Sequence, residues 1–434
     1  MLQTIIWITM AMLLAWFLIA FYNYRKHYLP LKKRATAQAR PVSQQRGSNW
    51  DAAYLQSKRM QGDTLADKAI AHILTDGNDK AEVNKLFILL TSNDQHLPTD
   101  VHPAIKHYFE ESAKLPDWAN KDLIEFGHNF YLSQGILVGM LLFYKSLPEC
   151  YTGAKGAEVL LKTAQLSDRS GNLDKLSSRL AITGTYIYKA MIPGALQPQS
   201  GGIIATQKIR LIHAAARFYI QNRHKGTEQE WKTEFFGLPV NQEDMAGTLM
   251  AFSALVLEGL EILGVPMTIA QRESYIHCWR VLGFLMGVHP ELIPVNADDA
   301  IALGHAIIND QMKESPAGKT LTTALLNFCV KKAPWFVNPA FHSSMLRYLM
   351  GDKLADMVGV HSDEKNRTRK FIKFITGYVR VREKLERYLL FAFMLQLIDR
   401  FLLKLSYIYL GRVQNAEDIH FQLPKNSFTP KPIK

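Results

Sequence analysis

The sequence predicts an all-α protein, with one large helical domain behind one N-terminal transmembrane helix. Between Gly and Pro breakers, the 434-residue chain has long stretches rich in Leu, Ala, Met and Lys in which apolar residues recur at helical spacing. Runs that alternate apolar and polar residues, as strands do, are few. A third observation predicts the membrane helix, because the segment from Thr4 to Tyr22 contains no charged residue.

Nineteen such residues form a helix about 28 Å long, which is close to the thickness of the hydrocarbon core. The next acidic residue is Asp51, and before it come seven basic residues: Arg25, Lys26, Lys32, Lys33, Arg34, Arg40 and Arg46. The positive-inside rule keeps such a flank in the cytosol. The segment lacks the charge order and small-residue cleavage site of a signal peptide. We therefore expect an uncleaved, single-pass anchor at 1–23 in a bacterial inner membrane or the endoplasmic reticulum, with the N-terminus outside or lumenal.

After the anchor, we expect a basic linker at 24–48, one helical domain at 49–415 and a polar tail at 416–434. A domain of that size is ample for a buried cofactor pocket. The three cysteines, Cys150, Cys278 and Cys329, are far apart and odd in number. They indicate neither a CxxC metal site nor a disulfide framework, which fits a reducing compartment.

The net charge of +12 raises the question of nucleic-acid binding. Much of the excess follows the anchor, and a second group lies beside the apolar run Tyr388 to Ile398: Lys365, Arg367, Arg369, Lys370, Lys373, Arg380, Arg382 and Arg387. Basic residues beside apolar helices suit an anionic membrane surface better than a nucleic-acid groove. The alternative is an ordinary packed pair of C-terminal helices. We expect no nucleic-acid partner.

A polar site is predicted where two helices follow each other. Arg179 and Thr183 are four residues apart, so they share a helix face. Breakers between Pro193 and Gly202 then allow the chain to turn into a second helix at about 203–222. On that helix His213 neighbours an apolar stripe, where a neutral imidazole can bind a metal or haem iron.

Each of these residues also has an ordinary structural interpretation. A lone histidine on an apolar helix face is commonly a hydrogen-bonded core residue, and the arginine and threonine can be a surface cation and a helix-bonded hydroxyl. His277, beside Trp279, is the main rival ligand. Two ExxH pairs, formed by Glu125 with His128 and by Glu417 with His420, are the alternative of a di-iron site in a helical bundle.

Three segments carry a resemblance to a known family. SLPECYTGAKGAEVLLKTAQL, SRLAITGTYIYKAMIPGAL and KIRLIHAAARFYI are similar, in this order and spacing, to the catalytic domain of the latex-clearing, rubber-oxygenase family. That family also includes the membrane-bound fungal oxygenase of mycophenolic acid biosynthesis. The similarity continues through GLPVNQEDMAGTLMAFSALVLEGLEILGVPM and covers about 119–360.

The resemblance implies a globin-like helical fold that binds one haem b, with His213 as the ligand of its iron and dioxygen as co-substrate. Arg179 and Thr183 match the residues that line the opposite side of such a haem. Glu158 is our candidate for the carboxylate base that takes an allylic proton. Rubber-cleaving members have a lysine where this chain has Ile182, so the preferred substrate need not be rubber.

The sequence thus favours a membrane-anchored, haem b-dependent oxygenase, a dioxygenase by family, that acts on a lipophilic substrate such as an isoprenoid or another unsaturated chain. Two alternatives from other classes stay open. One is a non-catalytic haem-binding or haem-sensing membrane protein, which the isoleucine at the lysine position favours. The other is a helical membrane-surface scaffold without haem.

Overall fold

The computed structural model describes residues 2–39, 50–75, 101–166, 174–222, 225–333, 337–361 and 365–412, and within these ranges all regular elements are helical. The all-α class is therefore confirmed. The helices are α1 (Leu2–Asn23), α2 (Leu29–Gln38), α3 (Ala52–Lys58), α4 (Thr64–Thr75), α5 (Pro103–Ser112), α6 (Lys121–Leu141), α7 (Leu147–Thr152), α8 (Ala154–Leu166), α9 (Asp174–Met191), α10 (Gly201–Asn222), α11 (Thr233–Phe236), α12 (Gln242–Phe252), α13 (Ala254–Ile262), α14 (Ile269–Leu285), α15 (Ala297–Gln311), α16 (Pro316–Lys332), α17 (Pro339–Met350), α18 (Asp352–Met357), α19 (Lys365–Glu386) and α20 (Leu389–Arg412). π-Helical turns at Tyr24–Tyr28 and Leu142–Ser146 join α1 to α2 and α6 to α7, and a 3₁₀ turn covers Pro290–Leu292.

The sequence sets several helix starts through side-chain caps. Asn120, for example, accepts hydrogen bonds from the backbone N–H groups of Asp122 and Leu123 at 3.0 and 3.1 Å. Thr268 and Gln271 form a full capping box at the start of α14. Such caps satisfy amide groups that have no partner within the helix. Asp51, Asn241, Asn296, Ser315 and Asn338 cap other helices in the same way.

The centre of the molecule is the crossing of α6 and α14. At Gly127 the two backbones approach so closely that an added Cβ would lie 2.3 Å from the carbonyl oxygen of Ser274. Around this crossing, apolar residues of α6, α9, α12 to α15, α17 and α19 form the largest buried cluster. Both helices of the predicted site, α9 and α10, contribute residues to this cluster.

The N-terminal helices continue further than the sequence indicated. The segment expected to be a basic linker is helical to Gln38, and α2 buries Leu31 and Ala35 against Phe126 of α6 and Ala270 of α14. Arg34 adds an ion pair to Asp122 at 2.9 Å. Residues 40–49 lie outside the described part of the chain. The tail at 416–434 also lies outside it.

Among the residues that the structure describes, three helical segments are long and apolar enough to cross a membrane: Ile6–Gln38, Lys121–Thr152 and Gln242–Ile262. None of the apolar window of the first is buried in the protein, whereas half of the second and 72% of the third are buried. The second and third belong to α6–α7 and α12–α13, which supply the core. Length and composition therefore permit the single membrane span expected from the sequence, and they also permit arrangements with more than one span.

Candidate active site

The two helices of the predicted site form an antiparallel hairpin. The connection from Ile192 to Ser200 is compact, with a hydrogen bond from Ala195 N to Ile192 O of 3.0 Å and with Gly194 at φ +82°. The first turn of α10 then approaches this connection closely. A Cβ at Gly202 would lie 2.3 Å from the carbonyl oxygen of Ala195. The glycines that the sequence places here are therefore what allows α10 to fold back onto α9.

A buried hydrogen bond fixes the register of the hairpin. The hydroxyl oxygens of Tyr186 on α9 and Thr206 on α10 lie 3.1 Å apart. Thr206 donates its own hydrogen to the carbonyl oxygen of Gly202 at 2.8 Å, so Tyr186 must donate to Thr206. Burial raises the pKa of Tyr186 to about 12, which keeps this donor protonated at physiological pH.

This register sets three site positions near one another. Position 179 lies two helical turns before Tyr186 on the same face of α9, and His213 lies two turns after Thr206 on the same face of α10. In an antiparallel pair both positions are therefore at the same level, about 10 Å beyond the Tyr186–Thr206 bond. Thr183 lies one turn closer to that bond. The side chain of Arg179 lies outside the described residues, although its backbone is part of α9.

The face of α10 that carries His213 is only half buried. Ala205, Ile209, His213 and Ala216, at spacings of four, four and three residues, are all partly accessible. The neighbouring Leu211, Ala214 and Ala215 are fully buried. An apolar, partly open face with one imidazole in it is a suitable wall for a flat apolar cofactor or substrate. Thr183 and Ile182 on α9 are likewise half buried.

Two buried arginines hold α10 from its other sides. Arg210 makes a two-pronged contact with Asp63, in which Nε and Nη2 lie 2.5 and 2.8 Å from the carboxylate oxygens. Arg217 donates to Asp67 at 2.8 Å and to the carbonyl oxygen of Val240 at 2.5 Å. Burial alone would lower the pKa of Arg210, but Asp63 raises it above its ordinary value. These pairs fix the rotation of α10 and hence the direction in which position 213 points.

The sequence predicts only one side of these ion pairs. Arg210 and Arg217 fall away from the apolar stripe, which the helical spacing does predict. Asp63 and Asp67 have the pattern of a helix start, and Asp63 does accept from the backbone N–H of Ala66 at 3.4 Å. Nothing in the spacing pairs them with a helix about 150 residues later.

Glu158 lies half buried on α8, which packs chiefly against α16 and α7. Its neighbour Ala157 belongs to the same buried cluster as Leu180 of α9, and Val159 belongs to another with Tyr219 and Ile220 of α10. The helix of Glu158 thus shares buried clusters with both helices of the hairpin, but its main packing is against other helices.

The rival histidine is already used in the core. His277 on α14 is buried, and its Nε2 accepts a hydrogen bond from the backbone N–H of Asn120 at 2.8 Å. Its ring meets Trp118 edge-on, with 5.8 Å between centroids. Burial and the nearby charge of Arg280 lower the pKa of His277 to about 3. This ring is thus a neutral acceptor that caps α6.

The di-iron alternative finds no support in the described residues. Glu125 is exposed while His128 is buried, so this ExxH pair does not present both groups to one site. Glu417 and His420 lie outside the described residues. Within the described ranges no group of three or more His, Cys, Asp and Glu side chains is arranged to hold a metal ion.

The comparison with known families matches residues 126–381 to the model described as ER-bound oxygenase mpaB/B'/Rubber oxygenase, catalytic domain. The matched segment is more than half of the chain and runs from α6 into α19. The chain belongs to this family. The resemblance seen in the sequence is therefore confirmed, and the α9–α10 hairpin lies inside the family domain.

Individual relatives agree. The chain is 27% identical over 300 residues to the rubber oxygenase of Streptomyces sp. (strain K30), covering 69% of this chain and 70% of that protein. Its fold is similar to that of latex clearing protein in the closed state, with a TM-score of 0.64, 24% identity, and coverage of 78% of this chain and 91% of the other. The family member described here therefore has the latex-clearing protein fold.

Proposed function

We propose that this family member is a membrane-anchored, haem b-dependent oxygenase that acts on a lipophilic, unsaturated substrate. The observation that carries the proposal is the position of His213. It lies on a half-buried apolar face of α10, level with position 179 of the facing helix and inside an oxygenase domain. The family indicates the reaction class, and side chains of the hairpin would carry out the reaction.

The donor set suits haem better than a bare metal ion. An all-protein metal site gathers several ligating side chains, and the described residues contain no such cluster. A haem needs a single axial side chain from one side, and a neutral histidine between apolar neighbours is a suitable one. Bound there, haem would supply a redox-active iron for reactions of dioxygen. His213 would hold this group, and Arg179 and Thr183 of α9 would line the pocket around it.

The other site residues would stabilise charge or transfer protons. Arg179 is cationic at all relevant pH values and, on the opposite helix, would stabilise negative charge that develops during oxygen chemistry. Thr183 would donate one hydrogen bond at little cost in volume. Glu158 would accept an allylic proton from the substrate. The half-buried Ile182 and Ile209 would limit access of water.

The reaction that we propose is oxidative cleavage of a carbon–carbon double bond. One molecule of dioxygen and one alkene give two carbonyl products, so both oxygen atoms enter the products and no external reductant is needed. The substrate class is an isoprenoid or another unsaturated chain, because a curated relative is named for action on rubber. The apolar Ile182 in place of the family's lysine leaves more apolar wall beside the cofactor.

Attachment to the membrane would be through α1. Most of its side chains from Ile6 to Tyr22 are apolar and exposed, and its window has a mean hydropathy of 1.8. The basic residues that follow would keep the catalytic domain in the cytosol. A lipophilic substrate dissolved in the bilayer would then reach the domain without crossing water.

A second candidate function is non-catalytic haem binding or haem sensing. The observation that favours it is again Ile182, because this member lacks an ionisable group that rubber-cleaving members keep near the iron. That protein would bind haem at His213 and would consume no oxygen with any substrate.

Oxygen uptake by the full chain in detergent separates the two candidates. With squalene as the probe, the enzyme should consume oxygen and form carbonyl fragments. With ¹⁸O₂ and borohydride trapping, both fragments should carry label. Arg179→Ala should lower kcat about a hundredfold or more, while Lys189→Ala, a cation on the same helix beyond the Tyr186–Thr206 bond, should not. Haem-loaded protein that is inert towards squalene and towards unsaturated fatty esters would instead support the sensor.

A further inference from the structure

The outer face of α20 is apolar and exposed from Phe391 to Ile408. Its exposed apolar residues alternate at spacings of three and four and so form one stripe: Phe391, Met394, Ile398, Phe401, Leu405 and Ile408. Phe401, at the middle of the stripe, is 66% exposed. Further exposed aromatic or apolar side chains lie on α19 and directly before α20: Phe374, Tyr378, Val381 and Tyr388. A continuous apolar surface of this kind marks an interaction site.

The inner face of α20 shows that this orientation is fixed. Arg382 of α19 and Asp399 of α20 form a buried two-pronged ion pair with distances of 2.9 and 2.6 Å. Leu403 fits against α6, where a Cβ at Gly135 would lie 2.5 Å from it. Turning the stripe inwards would expose Leu403 and break the ion pair. None of the residues that the structure describes covers the stripe.

The position of α1 indicates what covers it. Phe393, on the inner face of α20, packs against Phe17, Phe21 and Tyr24, with ring centroids 5.3, 5.3 and 5.4 Å apart. The stripe thus begins beside the point where α1 leaves the protein body. If α1 enters a bilayer there, the start of the stripe lies at the surface of that bilayer.

The charge on α19 is complementary to such a surface. Among the side chains of α19 that the structure describes, the exposed charged ones are five basic and two acidic: Arg369, Lys370, Lys373, Arg380 and Lys384 against Glu383 and Glu386. The exposed Arg387 follows directly after the helix. Exposed basic residues beside an apolar helix face are the pattern of helices that lie in the interface of an anionic membrane. A second copy of this chain would bring the same positive charges together. The positive charge of α19 and the position of the stripe beside α1 therefore favour a lipid surface over a second copy of this chain as the partner of the stripe.

We propose that α19 and α20 form a second membrane contact, in which the stripe of α20 lies in the boundary between headgroups and acyl chains of an anionic bilayer. This contact rests on the proposed attachment through α1. It also has a consequence for the substrate, because Tyr407 of α20 stacks on Tyr188 of α9 with 4.2 Å between ring centroids. The contact holds the site hairpin beside the lipid, so the substrate is taken from the bilayer and not from water.

The test uses the full chain with a single added cysteine, labelled with the environment-sensitive dye NBD and reconstituted into phosphatidylcholine–phosphatidylserine vesicles. The positions are Phe401→Cys on the stripe, Met12→Cys on α1, and Phe235→Cys on α11 as the matched exposed aromatic. These side chains are 66%, 67% and 60% exposed. The unmodified chain, labelled in parallel, corrects for its own half-buried cysteines.

We expect blue-shifted emission at positions 401 and 12, quenching of both by doxyl-labelled lipid, and neither effect at position 235. Changing Lys370, Lys373, Arg380 and Lys384 together to Gln should weaken lipid quenching at 401 and leave it unchanged at 12. Quenching at 12 with a water-exposed dye at 401 would overturn the second contact and leave the anchor intact. A blue shift at 401 without lipid quenching would overturn it in favour of a second copy. Water exposure at both positions would remove the anchor as well.

Discussion

At the scale of single residues, two histidines on neighbouring helices have different surroundings. His277 is buried with Nε2 accepting from Asn120, while His213 lies on a partly open apolar face. Both lie among apolar neighbours in the sequence, so hydropathy does not distinguish them. The difference comes from the loop before α6, whose backbone N–H needs an acceptor, and that contact joins residues 157 positions apart.

The role of His277 predicts a dependence of stability on pH. Its pKa is about 3 in the folded protein against 6.5 ordinarily, so between these values the unfolded chain binds a proton that the folded one cannot. The free energy of unfolding should therefore fall as the pH falls below 6.5, by at most about 1.4 kcal/mol per pH unit from this residue. His277→Gln keeps an acceptor without the titration, so urea unfolding at pH 7 and pH 5 should show a smaller loss. An unchanged loss would contradict this role. Burial also lowers the pKa of His128 to about 4, so this residue would still cause part of the loss of stability in the His277→Gln variant.

At the scale of elements, the helix pair α6–α14 is the support on which the site depends. Two of the three glycines of α6 have opposite surroundings. A Cβ at Gly127 would lie 2.3 Å from the Ser274 oxygen and 2.6 Å from the sulfur of Cys278, whereas a Cβ at Gly139 meets no heavy atom of the described residues within 4 Å. Of these two glycines, only Gly127 is needed for helix packing.

Alanine at each glycine tests this difference. Gly127→Ala should destabilise the protein by about 1–3 kcal/mol, because the close crossing must open. Gly139→Ala should stabilise it by about 0.5–1 kcal/mol, since alanine loses less backbone entropy in a helix. Denaturant unfolding of both variants measures these changes. Equal effects of the two substitutions would show that the crossing at Gly127 is looser than described.

Element boundaries were harder to predict than element types. The segment that was expected to be a linker contains α2. The sequence did not predict this helix, because its buried face is short and consists only of Leu31 and Ala35 amid charged residues. A small apolar face is weak as a periodic signal, and its partners Phe126 and Ala270 are distant in sequence. The C-terminal pair was expected either as packed helices or as a membrane-facing surface. The structure gives it a packed inner face together with an apolar, exposed outer face.

At the scale of the whole molecule, the sequence predicts the class and the family because both depend on local patterns. Helical periodicity is local, and the blocks around Arg179 and His213 are contiguous. The arrangement around the site is not local. The bond from Tyr186 to Thr206 and the pairing of Arg210 with Asp63 arise only when separate segments meet. The sequence therefore predicts that the site residues lie on helices, but it does not predict the contacts that hold those helices in register.

The proposed function depends on His213 as the protein ligand of a haem. The most direct test is the ultraviolet–visible spectrum of the detergent-purified full chain, with and without dithionite, for the native protein, His213→Ala and the matched control His277→Gln. We predict a Soret band in the native protein and in His277→Gln, its loss in His213→Ala, and its partial return when imidazole fills the space left by the ring. A Soret band that is unchanged in His213→Ala, or that is absent from native protein supplied with haem, would contradict the account.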